Sequence, residues 1–407
     1  MFCGRSSVIG AGKWKALVWI ALAELFALSL WFSESVTGPE LRELWSLTTR
    51  TEAWLSASVP VGFIIGTLIS VYFGISDRFN ARKVFALAAL AGAMVNGLLT
   101  VTDSAAIGII LRILTGVTLA GVYPTAVQLL SQWFPAKRGL ALGILIAALT
   151  LGSSLPHFIS IFFSSVDWKL VIFVSSLLAL AAAGIMNWVV VDAPATQQRM
   201  VFSFKLMKQV LVNKPVILAN YGYFGHMWEL CAMWTWLPVF LAASFASYSS
   251  QVSPTMIAFA SFVSIGVAGA VGCVLGGLVA DKVGRSRLTI ISLVVSASCS
   301  VVIGFTFGQA LWLTLTVSVI WGMFVISDFA QFSAAVTEFA ELPYVGTALT
   351  FQMCIGFLIT IFSINLIPVV QSIIGWKWVF ALLSIGPVFG IISMMKFRTY
   401  EIEADSK

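Results

Sequence analysis

The sequence predicts an all-α integral membrane protein with about twelve transmembrane helices, arranged as two pseudo-symmetric six-helix bundles. Of its 407 residues, 59% are hydrophobic and 10% are charged, and the mean hydropathy of +0.99 lies far outside the range of soluble domains. Apolar runs of about 20 residues, the length that crosses a bilayer, recur along the chain. The second half of the chain also repeats features of the first half, which predicts two related bundles.

The apolar runs are separated by short polar breaks. The first run, 16–32, is longer than a signal-peptide core, and no small-residue cleavage pattern follows it, so we expect it to remain as a helix. Numbered in chain order, the predicted helices 1 to 12 are 15–37, 54–73, 84–101, 105–131, 138–163, 168–191, 215–243, 254–276, 287–307, 309–335, 346–370 and 376–396.

The distribution of basic residues predicts the orientation. If successive helices alternate in direction, 18 of the 23 Lys and Arg residues fall on the side of the N-terminus, four fall on the other side, and Arg112 lies within a helix. Because cytoplasmic loops are enriched in Lys and Arg, both termini are expected in the cytoplasm. The net charge of +6 then reflects membrane topology rather than nucleic-acid binding. The absence of an N-x-S/T site suits a multi-pass protein of a prokaryotic inner membrane.

Three pairs of segments support an internal repeat, and two of them illustrate it. "WKLVIF" at 168–173 corresponds to "WKWVFA" at 376–381, and "SDRFNARK" at 76–83 corresponds to "ADKVGRSR" at 280–287, at offsets of 208 and 204. A duplicated six-helix unit is an architecture of membrane transporters. With the longest polar break as the linker, the predicted divisions are an N-terminal bundle 1–191, a cytoplasmic linker 192–213 and a C-terminal bundle 214–407.

The repeated segment between helices 8 and 9 is a charged tight turn. Tight reversals favour glycine, and next asparagine, because these residues tolerate a positive φ. The turn "GLVADKVGRSR" (277–287) supplies Gly277, Asp281, Lys282, Gly284 and Arg285. We expect this turn and its counterpart in the first half to be cytoplasmic gating turns, and the alternative is a compact positive-inside loop without a role in transport.

The mate of this turn lies between helices 2 and 3, in "FGISDRFNARK" (73–83), and supplies Asp77, Arg78 and Arg82. Both turns resemble the G-x-x-x-D-R/K-x-G-R/K-x-R/K signature of the major facilitator superfamily. The turn between helices 2 and 3 departs from it, with Phe73 and Asn80 in place of glycine and Ala81 in place of a basic residue. "WFPAKRGLALG" (133–143) and the arginine in "RILTGVTLAG" (112–121) are also similar to this family. The resemblance covers essentially the whole chain and implies a transporter fold without identifying a substrate.

Ionisable residues inside the membrane cost about 2.5–3.5 kcal/mol each on insertion scales and are functional candidates. Five such residues fall in helices 1, 4, 7 and 10, and the resemblance implies that these four helices surround a central cavity. Tyr223 and Gln331 share helix faces with two of them. The predicted substrate and proton cavity comprises Glu24, Arg112, Tyr223, His226, Glu229, Asp328 and Gln331.

Several roles stay open at this point. Arg112 suits either proton coupling or a hydrogen-bond network that packs helices. Asp328 suits the cavity, a helix cap or a gate. His226 and Glu229, three residues apart, could handle protons, bind a polar solute or join helix 7 to a neighbour. A metal site is not expected, because the other histidine, His157, lies in helix 5. The five cysteines form no CxxC pair and suggest packing, and no cofactor is expected.

The expected function is secondary active transport of a small polar or protonatable solute by alternating access, coupled to protons and carried out by a monomer. The expected partners are the solute, protons and the bilayer, with no nucleic acid. The alternative is a transport-inactive sensor or assembly protein that keeps the fold. An enzyme is not expected, because no nucleophile–base constellation, phosphate loop or metal cluster is present. "LGSSLPHF" (151–158) only weakly supports antiport, so uptake and export stay open.

Overall fold

The computed structural model describes residues 3–33, 38–134, 138–162, 168–193, 206–249, 253–341 and 344–405, and this part of the chain is helical throughout, without strands. Helix 1 is Cys3–Leu28. Eleven further helices are long and apolar enough to cross a membrane. In order, helices 2 to 12 are Thr49–Tyr72, Ala81–Val101, Ala105–Trp133, Gly139–Phe162, Trp168–Val189, Lys214–Tyr248, Pro254–Val283, Arg285–Thr306, Leu311–Phe339, Val345–Ile374 and Trp376–Ala404.

The predicted all-helical membrane fold is therefore confirmed, and the bounds differ only at the ends of helices. Helix 1 starts and ends earlier than predicted, with turns at 29–33 after Leu28. Helix 8 continues past its apolar part to Val283, where Gly284 with φ +91° ends it. Hydropathy locates the segment that lies in lipid, whereas backbone hydrogen bonding continues into the charged end of the helix. Of the predicted linker, residues 194–205 lie outside the described part, and Met207–Val212 form a short helix.

Two helices are interrupted in the middle of the membrane. Helix 4 consists of Ala105–Leu119 and Tyr123–Trp133, and helix 10 consists of Leu311–Ser327 and Phe329–Phe339. We call these parts 4a, 4b, 10a and 10b. The interruption of helix 4 begins at residue 120, and that of helix 10 lies at residue 328. The two positions are 208 residues apart, which equals one of the offsets of the sequence repeat. The repeat therefore extends to the interruptions of these helices.

Glycine residues allow some pairs of helices to pack closely. A Cβ on Gly116 of helix 4 would lie 2.1 Å from the carbonyl oxygen of Val59 in helix 2. A Cβ on Gly225 of helix 7 would lie 2.2 Å from the carbonyl oxygen of Gly386 in helix 12. Without side chains at these points the two backbones touch, as small residues allow within membranes.

The first six helices contact the last six mainly through helices 2 and 11 and through helices 5 and 8. The rings of Phe63 and Phe357 lie 4.7 Å apart at the first contact, and those of Phe158 and Phe262 lie 4.9 Å apart at the second. We call the side with the 2–3 and 8–9 turns the termini face, and the opposite side the far face. A space lined by parts of helices 1, 4, 7 and 10 lies between these contacts.

Candidate functional site

A central cavity lies where the first six helices meet the last six. Its volume is about 40 Å³, room for about three water molecules at roughly 10–15 Å³ each. Its walls come from helices 1, 2, 4, 5, 7, 10 and 11, and they are apolar apart from a few groups such as Ser153 and Cys231. Six aromatic rings line it: Trp31, Phe63, Tyr123, Trp234, Phe329 and Phe357. The cavity in this conformation is too small for an organic solute.

Aromatic contacts between the two halves lie on both sides of the cavity. Toward the far face, the ring of Trp31 lies 5.6 Å from that of Phe357, and the ring of Phe32 lies 5.9 Å from that of Trp234. Toward the termini face, the ring of Tyr123 lies 6.4 Å from that of Phe329. Each contact joins a helix of the first half to a helix of the second half, so a passage on either side requires the halves to separate.

Glu24 lies one turn below the cavity wall on the termini side of helix 1. It precedes the lining residues Leu28 and Trp31 by four and seven residues, so it shares their helix face. Its side chain is fully buried, and neither carboxylate oxygen has a hydrogen-bond partner among the described residues. Tyr123, at the start of helix 4b, interacts electrostatically with it. The interruption of helix 4 thus places a cavity-lining tyrosine beside a carboxylate that has no fixed partner.

His226 pairs with Asp328, at the interruption of helix 10. Nδ1 of His226 lies 2.9 Å from Oδ1 of Asp328, and both side chains are 1% exposed. The imidazole also stacks on Tyr223, with ring centroids 6.0 Å apart, and meets Phe329 edge-on at 5.6 Å. Two of the predicted residues therefore form a buried pair across helices 7 and 10, with a third, Tyr223, alongside.

Glu229 lies on a different side of helix 7 and points away from the cavity. Its carboxylate accepts hydrogen bonds from Ser296 Oγ of helix 9 at 2.6 Å and from Trp321 Nε1 of helix 10 at 2.7 Å. Three residues make nearly a full helical turn, but His226 faces helix 10b while Glu229 faces helices 9 and 10a. The structure does not bring His226 and Glu229 together as a pair.

Arg112 lies on the far side of the cavity and contacts the end of helix 1. Its guanidinium donates to the carbonyl oxygen of Leu30 at 2.8 Å, to that of Trp31, and to Ser33 Oγ at 3.1 Å. Asn96 of helix 3 accepts from Ser33 and donates to Ser176 of helix 6, each at 3.0 Å. This network joins helices 1, 3, 4 and 6, and Arg112 does not line the cavity.

Gln331 and Arg285 belong to a second network, at the termini face. Arg285 donates through Nη1 to Gln331 Oε1 at 2.7 Å and through Nε to both carboxylate oxygens of Glu338 at 2.8 Å. Glu401 of helix 12 accepts from the backbone nitrogen of Arg285 at 2.8 Å. The turn between helices 8 and 9 is thereby held to helices 10b and 12, and Gln331 faces that turn.

The same turn meets the start of helix 5. A Cβ on Gly139 would lie 3.2 Å from Oδ1 of Asp281, and a Cβ on Gly277 would lie 3.4 Å from the carbonyl oxygen of Gly139. Lys282 is exposed and Gly284 has a positive φ. An acidic side chain at a helix N-terminus is favoured by the helix dipole. This contact joins the two halves at the termini face.

The first-half turn is bound to the end of helix 6. Arg82 donates to the carbonyl oxygen of Val190, and Asn80 donates to Asp192 at 3.0 Å. Arg78 is exposed, and the side chain of Asp77 lies outside the described residues.

Sequence analysis missed the aromatic lining and several buried polar groups. Tyr123, Trp31 and Phe357 read as ordinary apolar positions until the helices are packed. The polar residues Asn220 and Gln352 are fully buried. The sequence does relate Glu24 to Glu229 within the repeat, because "EL" at 24–25 matches "EL" at 229–230 at an offset of 205.

The chain forms a bundle of long membrane helices, and two interrupted helices contribute to a central cavity between its halves. These features are those of a multi-pass protein of the transporter class. A family model of the Major Facilitator Superfamily matches residues 16–362. The chain belongs to this superfamily, and the sequence predictions of the family and of a transporter-family protein rather than an enzyme are confirmed.

The chain is 23% identical over 268 residues to a probable sulfoacetate transporter of Cupriavidus necator, with 61% of this chain and 60% of that protein covered. It is 23% identical to a gallate transporter of Pseudomonas putida, with 71% of each covered. It is 32% identical to a niacin transporter of Acinetobacter baylyi, with 28% of each covered. The solved structure of the nucleoside transporter NupG has a TM-score of 0.70 at 12% identity and covers 94% of this chain and 99% of that chain, which supports the fold.

Proposed function

We propose that this protein carries a small organic solute across the inner membrane by alternating access, coupled to protons, as a monomer with both termini in the cytoplasm. The observation that carries the proposal is the small central cavity between the halves, together with the buried carboxylate of Glu24, which has no hydrogen-bond partner among the described residues and lies one helical turn from Leu28 of the cavity wall. The relatives named above are transporters of sulfoacetate, gallate and niacin, which supports a small organic solute.

The size and the walls of the cavity support alternating access. At about 40 Å³ the cavity excludes an organic solute, and aromatic contacts between the halves cover it on both sides. We propose that residues 1–191 and 214–407 move as two units joined by the linker 192–213. Separation at Trp31 and Phe357 opens the far face, and separation at Tyr123 and Phe329 opens the termini face.

The charged turns fit a role in holding the termini face closed. Asp281 contacts the first residues of helix 5 in the other half, and Arg285 links its turn to Glu338 and Gln331. In this proposal the far face opens while these contacts are made, and the contact of Asp281 with helix 5 is broken when the termini face opens.

We assign proton coupling to Glu24 because each of the other two buried acids of the described helices lies within 3 Å of a polar side chain. Glu229 accepts two hydrogen bonds, and Asp328 lies against His226. An ionised carboxylate without a partner in an apolar site is costly. Glu24 is therefore expected to hold a proton, or to meet a cationic group, whenever the cavity is closed.

Transport by purified protein in proteoliposomes tests this proposal. The radiolabelled solutes are sulfoacetate, gallate, nicotinate, nicotinamide and 1-methylnicotinamide, each assayed by counterflow and with a pH gradient in either direction. Glu24→Gln is expected to remove the response to the gradient, and Glu24→Asp is expected to keep it. Glu229→Gln is the matched control, because its carbonyl oxygen can still accept from Trp321 and the site lies outside the cavity.

Two results would contradict the proposal. Gradient-driven transport that persists at the wild-type level in Glu24→Gln would remove Glu24 from the coupling. Failure of every solute in counterflow, with protein that is monodisperse and cooperatively unfolding, would favour the transport-inactive alternative.

A further inference from the structure

We infer that the termini-face end of the first half binds the headgroups of anionic phospholipids through an aromatic and basic surface that the second half does not share. We call this the anchor surface, and it consists of Tyr72, Phe73, Arg78, Phe79, Lys83 and Trp188. Three observations carry the inference: the exposure of the rings, the residues at the matching positions of the repeat, and the two basic side chains among the rings. This attachment to the lipid surface does not depend on the solute or on the coupling ion.

Four aromatic side chains of the first half are exposed where helices 2 and 6 end and helix 3 begins, at the termini face. Tyr72 is the last residue of helix 2, and Phe73 follows it, with the two ring centroids 5.1 Å apart. Phe79 lies two residues before helix 3, and Trp188 is the last but one residue of helix 6. The exposed fractions of the four side chains are 80%, 55%, 62% and 82% in chain order. Because aromatic rings at the ends of membrane helices sit at the depth of the headgroups, these positions suit contact with the headgroup layer.

The matching positions of the second half carry no aromatic residue. At the repeat offsets of 204 and 208 they are Gly276, Gly277, Val283 and Lys396. A Cβ on Gly276 would lie 2.2 Å from the carbonyl oxygen of Ser327 in helix 10, so this end of helix 8 packs directly on protein. Tyr72, at the matching end of helix 2, projects outward instead. The duplicated helix–turn–helix unit therefore does not require exposed rings here, and the anchor surface is a property of the first half.

Hydrogen bonds join the parts of the anchor surface that come from different helices. Nδ2 of Asn80 donates to Oδ1 of Asp192 at 3.0 Å, and Arg82 donates to the carbonyl oxygen of Val190. Asn80 directly follows Phe79, and Val190 lies two residues after Trp188. The turn between helices 2 and 3 is thus held against the end of helix 6, and the exposed rings on both sides of this contact belong to one surface.

The charge of the anchor surface selects the lipid. Arg78 and Lys83 are exposed, and neither forms an ion pair with a described residue. Asp192 lies 3.6 Å from Arg82 and is therefore already compensated. The turn itself has three basic residues and one acidic residue, Asp77. Basic side chains at the membrane surface attract anionic headgroups, and the rings beside them favour insertion between those headgroups. An anionic phospholipid meets both requirements, whereas a zwitterionic one meets only the second.

Photocrosslinking of the full-length protein identifies what covers the anchor surface. The photoreactive amino acid p-benzoylphenylalanine replaces Phe79, and in a second protein it replaces Leu87, a lipid-facing residue of helix 3 that is 68% exposed. Both proteins are irradiated in vesicles of equal parts phosphatidylglycerol and phosphatidylcholine, and the adducts are weighed by intact-mass spectrometry. Position 87 reports the bulk lipid ratio. The ratio of phosphatidylglycerol to phosphatidylcholine adducts at position 79 is expected to be at least about fivefold higher, the factor that one basic contact worth about 1 kcal/mol produces.

Arg78→Gln with Lys83→Gln should lower the ratio at position 79 to that at position 87, while lipid adducts still form. Lys282→Gln with Lys396→Gln, a pair of exposed basic residues in the second half, is the matched control and should keep the enrichment. Equal ratios at positions 79 and 87, or an enrichment that survives the loss of Arg78 and Lys83, would overturn the anionic lipid. Crosslinks of position 79 to a second copy of the chain, or no adduct there while position 87 is labelled, would overturn the lipid contact itself. None of these results bears on the proposed transport.

Discussion

At the scale of single residues, partners rather than position distinguish the two glutamates of the repeat. Glu24 and Glu229 occupy related positions, 205 residues apart. Glu229 accepts hydrogen bonds from Ser296 and Trp321, and no described residue provides such a bond to Glu24. A carboxylate with fixed donors stabilises helix packing, whereas one without donors is available for a proton or a ligand. We therefore expect these two residues to give different phenotypes.

Glu229→Leu tests the packing role. It would leave Trp321 Nε1 and Ser296 Oγ buried without their acceptor, and each unsatisfied group costs about 1–3 kcal/mol. The free energy of unfolding, measured by denaturant titration in mixed micelles, is expected to fall by an amount of this order. Glu229→Gln should lose less, because one acceptor oxygen remains. Equal stability of the leucine variant and wild type would contradict this role.

At the scale of helices, the end of helix 1 depends on Arg112. The guanidinium binds the carbonyl groups of Leu30 and Trp31 in the turns that follow the helix and, through Ser33 and Asn96, reaches helices 3 and 6. The cation therefore compensates the negative end of the helix dipole in a place where water is excluded. Helices 4 and 10 are both interrupted near the middle of their length: Tyr123, which lines the cavity, begins helix 4b, and Asp328, which lies against His226, stands at the interruption of helix 10.

The Arg112→Leu variant tests whether Arg112 stabilises the packing of helices or takes part in proton coupling. Each hydrogen bond to a charged group contributes about 1.5–3 kcal/mol, so the variant should unfold at a lower denaturant concentration, with Arg112→Lys in between. Counterflow and gradient-driven transport should decrease together. If instead only the response to the pH gradient were lost while stability stayed unchanged, Arg112 would belong to the coupling machinery.

Gly116→Ala tests the contact of helices 2 and 4. Its Cβ would come within 2.1 Å of a backbone oxygen, and overpacking costs about 1–3 kcal/mol or more because backbones yield poorly. We expect a lower unfolding midpoint. Gly12→Ala is the control, since nothing lies within 4 Å of its Cβ position. Its midpoint should stay the same or rise, because alanine favours helix. A similar response of the two variants would argue against the close contact.

At the scale of the whole molecule, the two halves meet through small residues and aromatic rings along helices 2, 5, 8 and 11, and a charged contact is added at the termini face. The small cavity describes one conformation, and the alternating access proposed above requires a second conformation in which the cavity opens. The contact of Asp281 with the start of helix 5 crosses between the halves and is therefore expected to influence which side opens.

Asp281→Asn should increase opening of the termini face. Cys231 lines the cavity and is 4% exposed, so its labelling reports access once the other four of the five cysteines are replaced by alanine. A membrane-impermeant maleimide applied from the termini face should label Cys231 faster in the variant than in its parent. Labelling from the far face should slow. Lys282→Gln, a neighbouring exposed position, should resemble the parent. Unchanged labelling from both faces in Asp281→Asn would contradict a gating role for this contact.

The sequence by itself determined the membrane class, the helices to within several residues at most ends, the superfamily and the presence of costly ionisable groups in helices 1, 4, 7 and 10. Those properties follow from hydropathy, local charge and short motifs. Only the tertiary structure decided that His226 meets Asp328, that Glu229 and Arg112 bind neighbouring helices, and that Glu24 is left without a partner beside Tyr123. Residues three apart in a helix point to nearly the same side, about 60° apart around the axis, so only the packing of the neighbouring helices determines which donors each of them meets.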